Sequence, residues 1–218
     1  MTPFDGIPLG AIDFYEDLEA DNSREWWLAQ RARYDDDVRA PMAALAEALE
    51  EEFGSAKLFR PNRDVRFSAD KSPYKTHQGF VVATADGVGW YVQVSAAGLM
   101  TAGGWWRGTP ELVAGYRAAL DTDDEDEDAG NELERILSDL RRAGYTVGGD
   151  RLKTRPRGVP EDHRFLDLLR HRSLTVERQH GEPEWLPTPA AAEHIANDWR
   201  AYGPLMQWLS ANLATTTG

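Results

Sequence analysis

The residues best suited to chemistry sit in one run, Arg60-Pro61-Asn62-Arg63-Asp64-Val65-Arg66-Phe67-Ser68-Ala69-Asp70-Lys71-Ser72-Pro73-Tyr74-Lys75-Thr76-His77. Between Lys57 and His77 six basic residues stand against two acids, a local charge of +4. A second run, Arg151 to Arg157, holds four basic residues and no acid. The planar fork of arginine bonds carboxylates and phosphates bidentately. Crowding like charges costs free energy unless an anion answers them. Two answers fit. Acids of the chain, such as Asp64, Asp70 or the helix carboxylates, could form an ion-pair network. An external phosphate or carboxylate ligand could do the same. Both hold together if Asp64 and Asp70 orient the arginines.

The expected site is therefore a cleft lined by Arg60, Arg66, Lys71, Lys75, Arg155 and Arg157, with Arg63, Asp64, Asp70 and Tyr74 in the same candidate set. Pro61 and Pro73 stiffen the run, and Asn62, Asp64 and Ser68 form turns. A stiff loop loses less entropy on binding an anion. Strand alternation puts Asp64 and Arg66 on one face and Arg63, Val65 and Phe67 on the other, so one ligand cannot use every arginine. His77 is the acid–base candidate, since imidazole titrates near neutral pH. A lone histidine at a strand start is more often just a hydrogen-bonding residue.

Other constellations carry less. Gly103-Gly104-Trp105-Trp106-Arg107-Gly108 has neither a P-loop nor a dinucleotide spacing, so tight turns and core tryptophans explain it best. Asp162, His163 and Asp167 are read as caps and surface charge, with no metal assigned. No nucleophile elbow is present. No cofactor is identified, and no reaction is named.

The charges need a scaffold, and the sequence reads as α+β: an antiparallel sheet from the middle third, packed by N-terminal and C-terminal helices. Helical spacing runs from Asp13 to Phe53, with Ser23 as an N-cap and Pro41 in a first turn. Short strands are expected at Leu58-Phe59, Val65–Phe67, Phe80–Ala83, Trp90–Val94 and Leu99–Thr101, with a hairpin turn at Ala85-Asp86-Gly87. Thr109-Pro110-Glu111 starts a helix that ends near Leu120. The acidic run 121–128 reads as a self-repelling loop. Further helices are expected over Leu133–Leu140, closed by Gly144, around Phe165–Leu169, and from Thr188-Pro189 to Leu213 with a kink at Gly203-Pro204; a strand is expected at Leu174–Val176.

With 218 residues, residues 1–218 are expected to form one domain, large enough to fold without disulfides or metal. There is no cysteine, which excludes thiolate chemistry. The net charge is −13, and removing the two basic runs, each +4, leaves −21 on the remainder. Duplex nucleic acid and anionic membranes are therefore poor partners, and a small anionic ligand is the expected one. The sequence does not identify a protein partner; under an interaction-module reading the basic patches would dock an acidic protein segment or pair internally. No targeting segment or long apolar run is seen, so the cytoplasm is the expected compartment. The alternative to a ligand site is a non-catalytic interaction module whose basic motif is a structural ion-pair network.

The central run resembles the signature of the uncharacterised DUF2461 family. The resemblance includes Asn22-Ser23-Arg24-Glu25-Trp26-Trp27 with Tyr34 and Pro41, Gly103-Gly104-Trp105-Trp106, and Pro156-Arg157-Gly158 with Asp162-His163. At Arg164 many relatives would carry proline. The resemblance implies an architecture and a set of suspect positions, not an activity.

Overall fold

The computed structural model describes residues 3–64, 66, 70–121 and 129–213. It shows an α+β fold: an antiparallel six-stranded sheet with helices from both ends of the chain. The sheet order is β1-β2-β3-β4-β6-β5. The strands are β1 (Lys57–Leu58), β2 (His77–Ala85), β3 (Val88–Ser95), β4 (Gly98–Trp105), β5 (Thr146–Gly148) and β6 (Leu174–Gly181). By internal contacts the chain divides into two compact units. The first takes residues 1–82, 91–101 and 179–198, and the second takes 83–90, 102–178 and 199–218.

In the first unit, α1 (Gly10–Ala20) turns Phe14, Tyr15 and Leu18 inward. Ser23 caps α2 (Arg24–Ala29), its hydroxyl accepting from Trp26 N–H at 3.1 Å. A single turn, α3 (Arg31–Arg33), leads into a wider π segment, Tyr34–Arg39, and then α4 (Ala40–Phe53). The change of pitch falls just ahead of Pro41, which has no N–H for the helical ladder. Phe14, Trp27 and Tyr34 pack edge to face or tilted, with centroids 4.8–5.7 Å apart. This cluster, with Met42, Leu45, Phe80, Val92 and Leu99, is the unit's core. Gly54 closes α4 at φ +98°, as its position after the last apolar residue predicts.

In the second unit, Thr109 caps α5 (Pro110–Leu120) with Pro110 in the first turn. Helix α6 (Ala129–Arg142) buries Leu133, Ile136, Leu137 and Leu140 on one stripe and ends at Gly144, φ +83°. Helix α7 (Leu166–Leu169) is one turn. The last helix, α8 (Ala190–Asn212), runs through Pro204 without a break and places Trp199, Tyr202, Leu205 and Leu209 in this core. The strand β5, pairing antiparallel with β6, has no counterpart in the sequence reading; three residues are too few to show a period. Of the expected Val65–Phe67 strand only Arg66 is described, and it lies in a bend rather than a strand; the acidic run at 122–128 lies outside the described residues. No helix of the described residues is long and apolar enough to cross a membrane.

Candidate functional site

The basic loop of the first unit is anchored before its charges are considered. Lys75 N–H donates to Pro61 O at 2.8 Å, and Arg63 N–H donates to Pro73 O at 2.9 Å. Asn62 and Tyr74 bridge antiparallel between them. The loop is thus clamped at its base like a hairpin. Asn22, from the turn before α2, holds it from outside. Its side chain donates to Tyr74 O (3.0 Å) and accepts from Tyr74 N–H (3.1 Å). The Tyr74 ring stacks on Trp27 at 4.1 Å and 11° and is only 7% exposed. Tyr74 therefore anchors the loop and offers no free ring to a ligand. Gln78 completes the brace: it accepts from Tyr34 Oη–H (2.7 Å) and donates to Phe59 O (3.1 Å) and Gly79 O (3.0 Å).

On this frame the acids orient two of the arginines. Arg66 reaches Asp64 with both ends of its fork, Nε to Oδ1 at 2.9 Å and Nη2 to Oδ2 at 2.6 Å. Arg63 pairs with Asp70, whose other oxygen accepts from Ser72 N–H at 2.9 Å. These bonds, chiefly those from Ser72, hold the Asp70 carboxyl down at about 2. Arg66 likewise holds the Asp64 carboxyl below the usual range.

Lys75 is different. Its ammonium lies 5.1 Å from the centroid of the Phe59 ring, half-buried, and no carboxylate among the described residues pairs with it. Burial pushes its pKa down. His77, also half-buried, is pushed down by burial first, then by Lys75 and Arg63. Three nitrogen bases thus share one neighbourhood. Arg60 is exposed nearby in sequence and has no partner among the described residues. Lys71 is exposed.

A family model described as conserved hypothetical protein (DUF2461) matches residues 10–208. The chain belongs to the DUF2461 family. No curated protein and no solved structure matches it. In this DUF2461 chain much of the signature is thus scaffold: Asn22, Trp27, Tyr34, Pro61, Pro73 and Tyr74 all set the loop's position rather than its charge.

Arg155 and Arg157 belong to the second unit. Arg155 donates to Val159 O at 2.6 Å and so closes its own loop, while Arg157 is exposed. Arg164, where the resemblance leads one to expect proline, bonds the Asn131 side chain and lies 5.0 Å over the Phe165 ring. The glycine pair before the tryptophans is structural. Gly104 has φ +132°, and a Cβ there would strike Leu174 O, while Trp105 is fully buried with its indole N–H on Arg107 O at 2.6 Å. Among the described residues no cluster of acids and histidines could hold a metal. His163 accepts from Phe165 N–H at 3.1 Å through Nδ1, a local cap.

Two polar groupings of this DUF2461 protein escape sequence reasoning. Asp198, 3% exposed, has one oxygen, Oδ2, that accepts from Thr101 Oγ1 (2.7 Å) and lies 2.6 Å from His180 Nε2. The other surrounds His171, which is buried in the second unit. Their members lie far apart in the chain, so no spacing announces them.

Proposed function

We propose that this DUF2461 protein binds a small phosphate- or carboxylate-bearing ligand on the clamped loop of its first unit, through Lys75, Arg63, Arg60 and His77. One observation carries the reading: Lys75 is held half-buried against Phe59 beside two further bases, and among the described residues no carboxylate offsets the cost of its charge. A ligand anion supplies that missing charge in a place where partial burial strengthens it. The pairs Arg63–Asp70 and Arg66–Asp64 restrain those four side chains, which limits their ordering entropy on binding. The Phe59 face, tilted against Tyr91 with centroids 6.0 Å apart, suits a ligand with a flat or apolar body beside its anionic group. His77, held toward its neutral form, is the group placed to exchange a proton with such a ligand.

The two ion pairs also favour a second reading, in which the basic motif is an internally paired framework of an interaction module. Thermal unfolding separates the two. At a hundredfold excess over its dissociation constant a ligand adds about 2.7 kcal/mol, a rise of roughly 5–10 °C for a chain of this length. Inorganic phosphate, nucleotides, sugar phosphates and dicarboxylates form the screen. Lys75→Met, which keeps the stem on Phe59, should abolish the rise with little change in the unliganded midpoint. No rise with any of these anions, together with a large loss of stability in Lys75→Met, would establish the framework reading instead.

A further inference from the structure

The second unit contains a polar hollow of about 310 Å³ that no sequence motif marks. Backbone pairing builds its wall. Arg151 and His171 form an isolated antiparallel bridge. Beside it, Leu152 N–H donates to Arg170 O (2.8 Å) and Arg172 N–H donates to Asp150 O (2.7 Å). Asp150 N–H donates to Ser173 Oγ at 2.7 Å. The Arg170 guanidinium adds bonds to Leu152 O (2.9 Å) and Lys153 O (2.8 Å). From the other side Tyr116 Oη–H donates to Leu168 O at 3.1 Å and Arg117 Nε–H donates to Leu169 O at 3.1 Å. These bonds tie the backbone of the wall from two sides.

His171 is 4% exposed, yet its ring lines the hollow. Nδ1 lies 2.9 Å from Ser173 O. A carbonyl oxygen only accepts, so Nδ1 carries the hydrogen. Nε2, on the opposite edge of the ring, has no hydrogen-bond partner among the described residues. Arg141 of α6 lines the same hollow and pairs with no carboxylate among the described residues. Arg151 shares Asp167 with Arg170, at 3.3 and 3.4 Å, which leaves bonding capacity on its fork. Leu137 and Leu168 supply apolar wall, and Glu134 supplies a second acid.

We propose that this hollow binds a small monocarboxylate, its oxygens taken by Arg141 and Arg151 and its short apolar body covered by Leu137 and Leu168. The acids on the wall decide the ligand class. Glu134 and Asp167 repel the second charge of a phosphate dianion, whereas a single carboxylate answers Arg141 without adding to that repulsion. The charged groups facing His171 are Glu134 and Arg141 from α6, Arg151 from the bridge, and Asp167 from α7. Burial holds the imidazole below its usual range, Arg151 and Arg141 lower it further, and the Ser173 bond and Asp167 oppose them. A bound carboxylate acts in the sense of Asp167. It draws a proton onto Nε2, which then donates to the ligand, so binding tightens as the pH falls toward the range in which the imidazole takes up its proton.

Titrating the whole chain with propionate, and following the His171 ring in proton–nitrogen NMR spectra, tests the assignment. Expected are saturable movement of the Nε2 signal, a higher His171 midpoint in the bound state, and at least about tenfold weaker binding in Arg141→Gln. Arg141 is exposed on α6, so the variant keeps its core; Arg141→Lys, which keeps the charge and loses the fork, should fall between the two. Lys75→Met should bind propionate here as the native chain does, which separates this site from the loop of the first unit. No saturable movement, or equal binding by Arg141→Gln, overturns the proposal. Inorganic phosphate that moves the His171 signal at the same concentration as propionate overturns the monocarboxylate assignment.

Discussion

Asn22 shows how one side chain can matter more than a row of charges. Its two bonds to the Tyr74 backbone tie the basic loop to the helices. Asn22→Ala should cost about 1–3 kcal/mol, read as a lower urea midpoint at unchanged slope. It should also weaken any anion bound by Lys75, although it touches none of the cations. The histidines set the response to acid. His77 and His171 both have folded-state pKa values below the usual 6.5, so the unfolded chain binds more protons. The stability they contribute is complete above the unfolded value and is lost as the pH falls through the folded values. Thermal midpoints measured downward from pH 7 should therefore fall, and less steeply in His77→Gln. Asp70 acts only in stronger acid: its share is complete above the usual 3.8 and is lost as the pH falls toward about 2.

At the scale of elements, the sheet depends on close backbone approaches and on one buried polar contact. Gly104, with its positive φ and no room for a Cβ against Leu174 O, lets β4 pass β6. Gly104→Ala should destabilise by about 1–3 kcal/mol from backbone strain alone, with the clash added. Asp198 links β4, β6 and α8 through Thr101 and His180. Asp198→Ala removes the acceptor that Thr101 and His180 share and should cost about 3 kcal/mol, seen in equilibrium unfolding. The element boundaries that sequence predicts well are the capped ones. Ser23, Thr109, Gly54 and Gly144 each perform the local job their type suggests. The short strand β5 was not legible, because what holds it is its partner β6 rather than its own pattern.

For the molecule as a whole, charge is the governing property. A net charge of −13 repels itself and repels polyanions. Raising ionic strength from about 10 to 150 mM shortens the screening length from about 30 to 8 Å and should raise the thermal midpoint in chloride alone. A specific anion should raise it further at equal ionic strength, and only that extra part should vanish in Lys75→Met. Duplex DNA should not be retained even at low salt. Retention that declines steeply with salt would contradict the charge argument.

Apolar period, caps and turn glycines act over a few residues, so the helices, the central hairpins and the fold class could be read from order alone. The same holds for the location of the positive charge. What order could not tell is which of those charges are spent. Asp64 takes both ends of the Arg66 fork, Asp70 takes one nitrogen of Arg63 and leaves the rest of its fork, Val159 takes Arg155, and Lys75 is left facing an aromatic ring. Nor could it bring Arg151 beside His171, or His180 beside Asp198. Those meetings join residues about twenty positions apart, and long-range packing, which leaves no periodic trace in a chain, decides them.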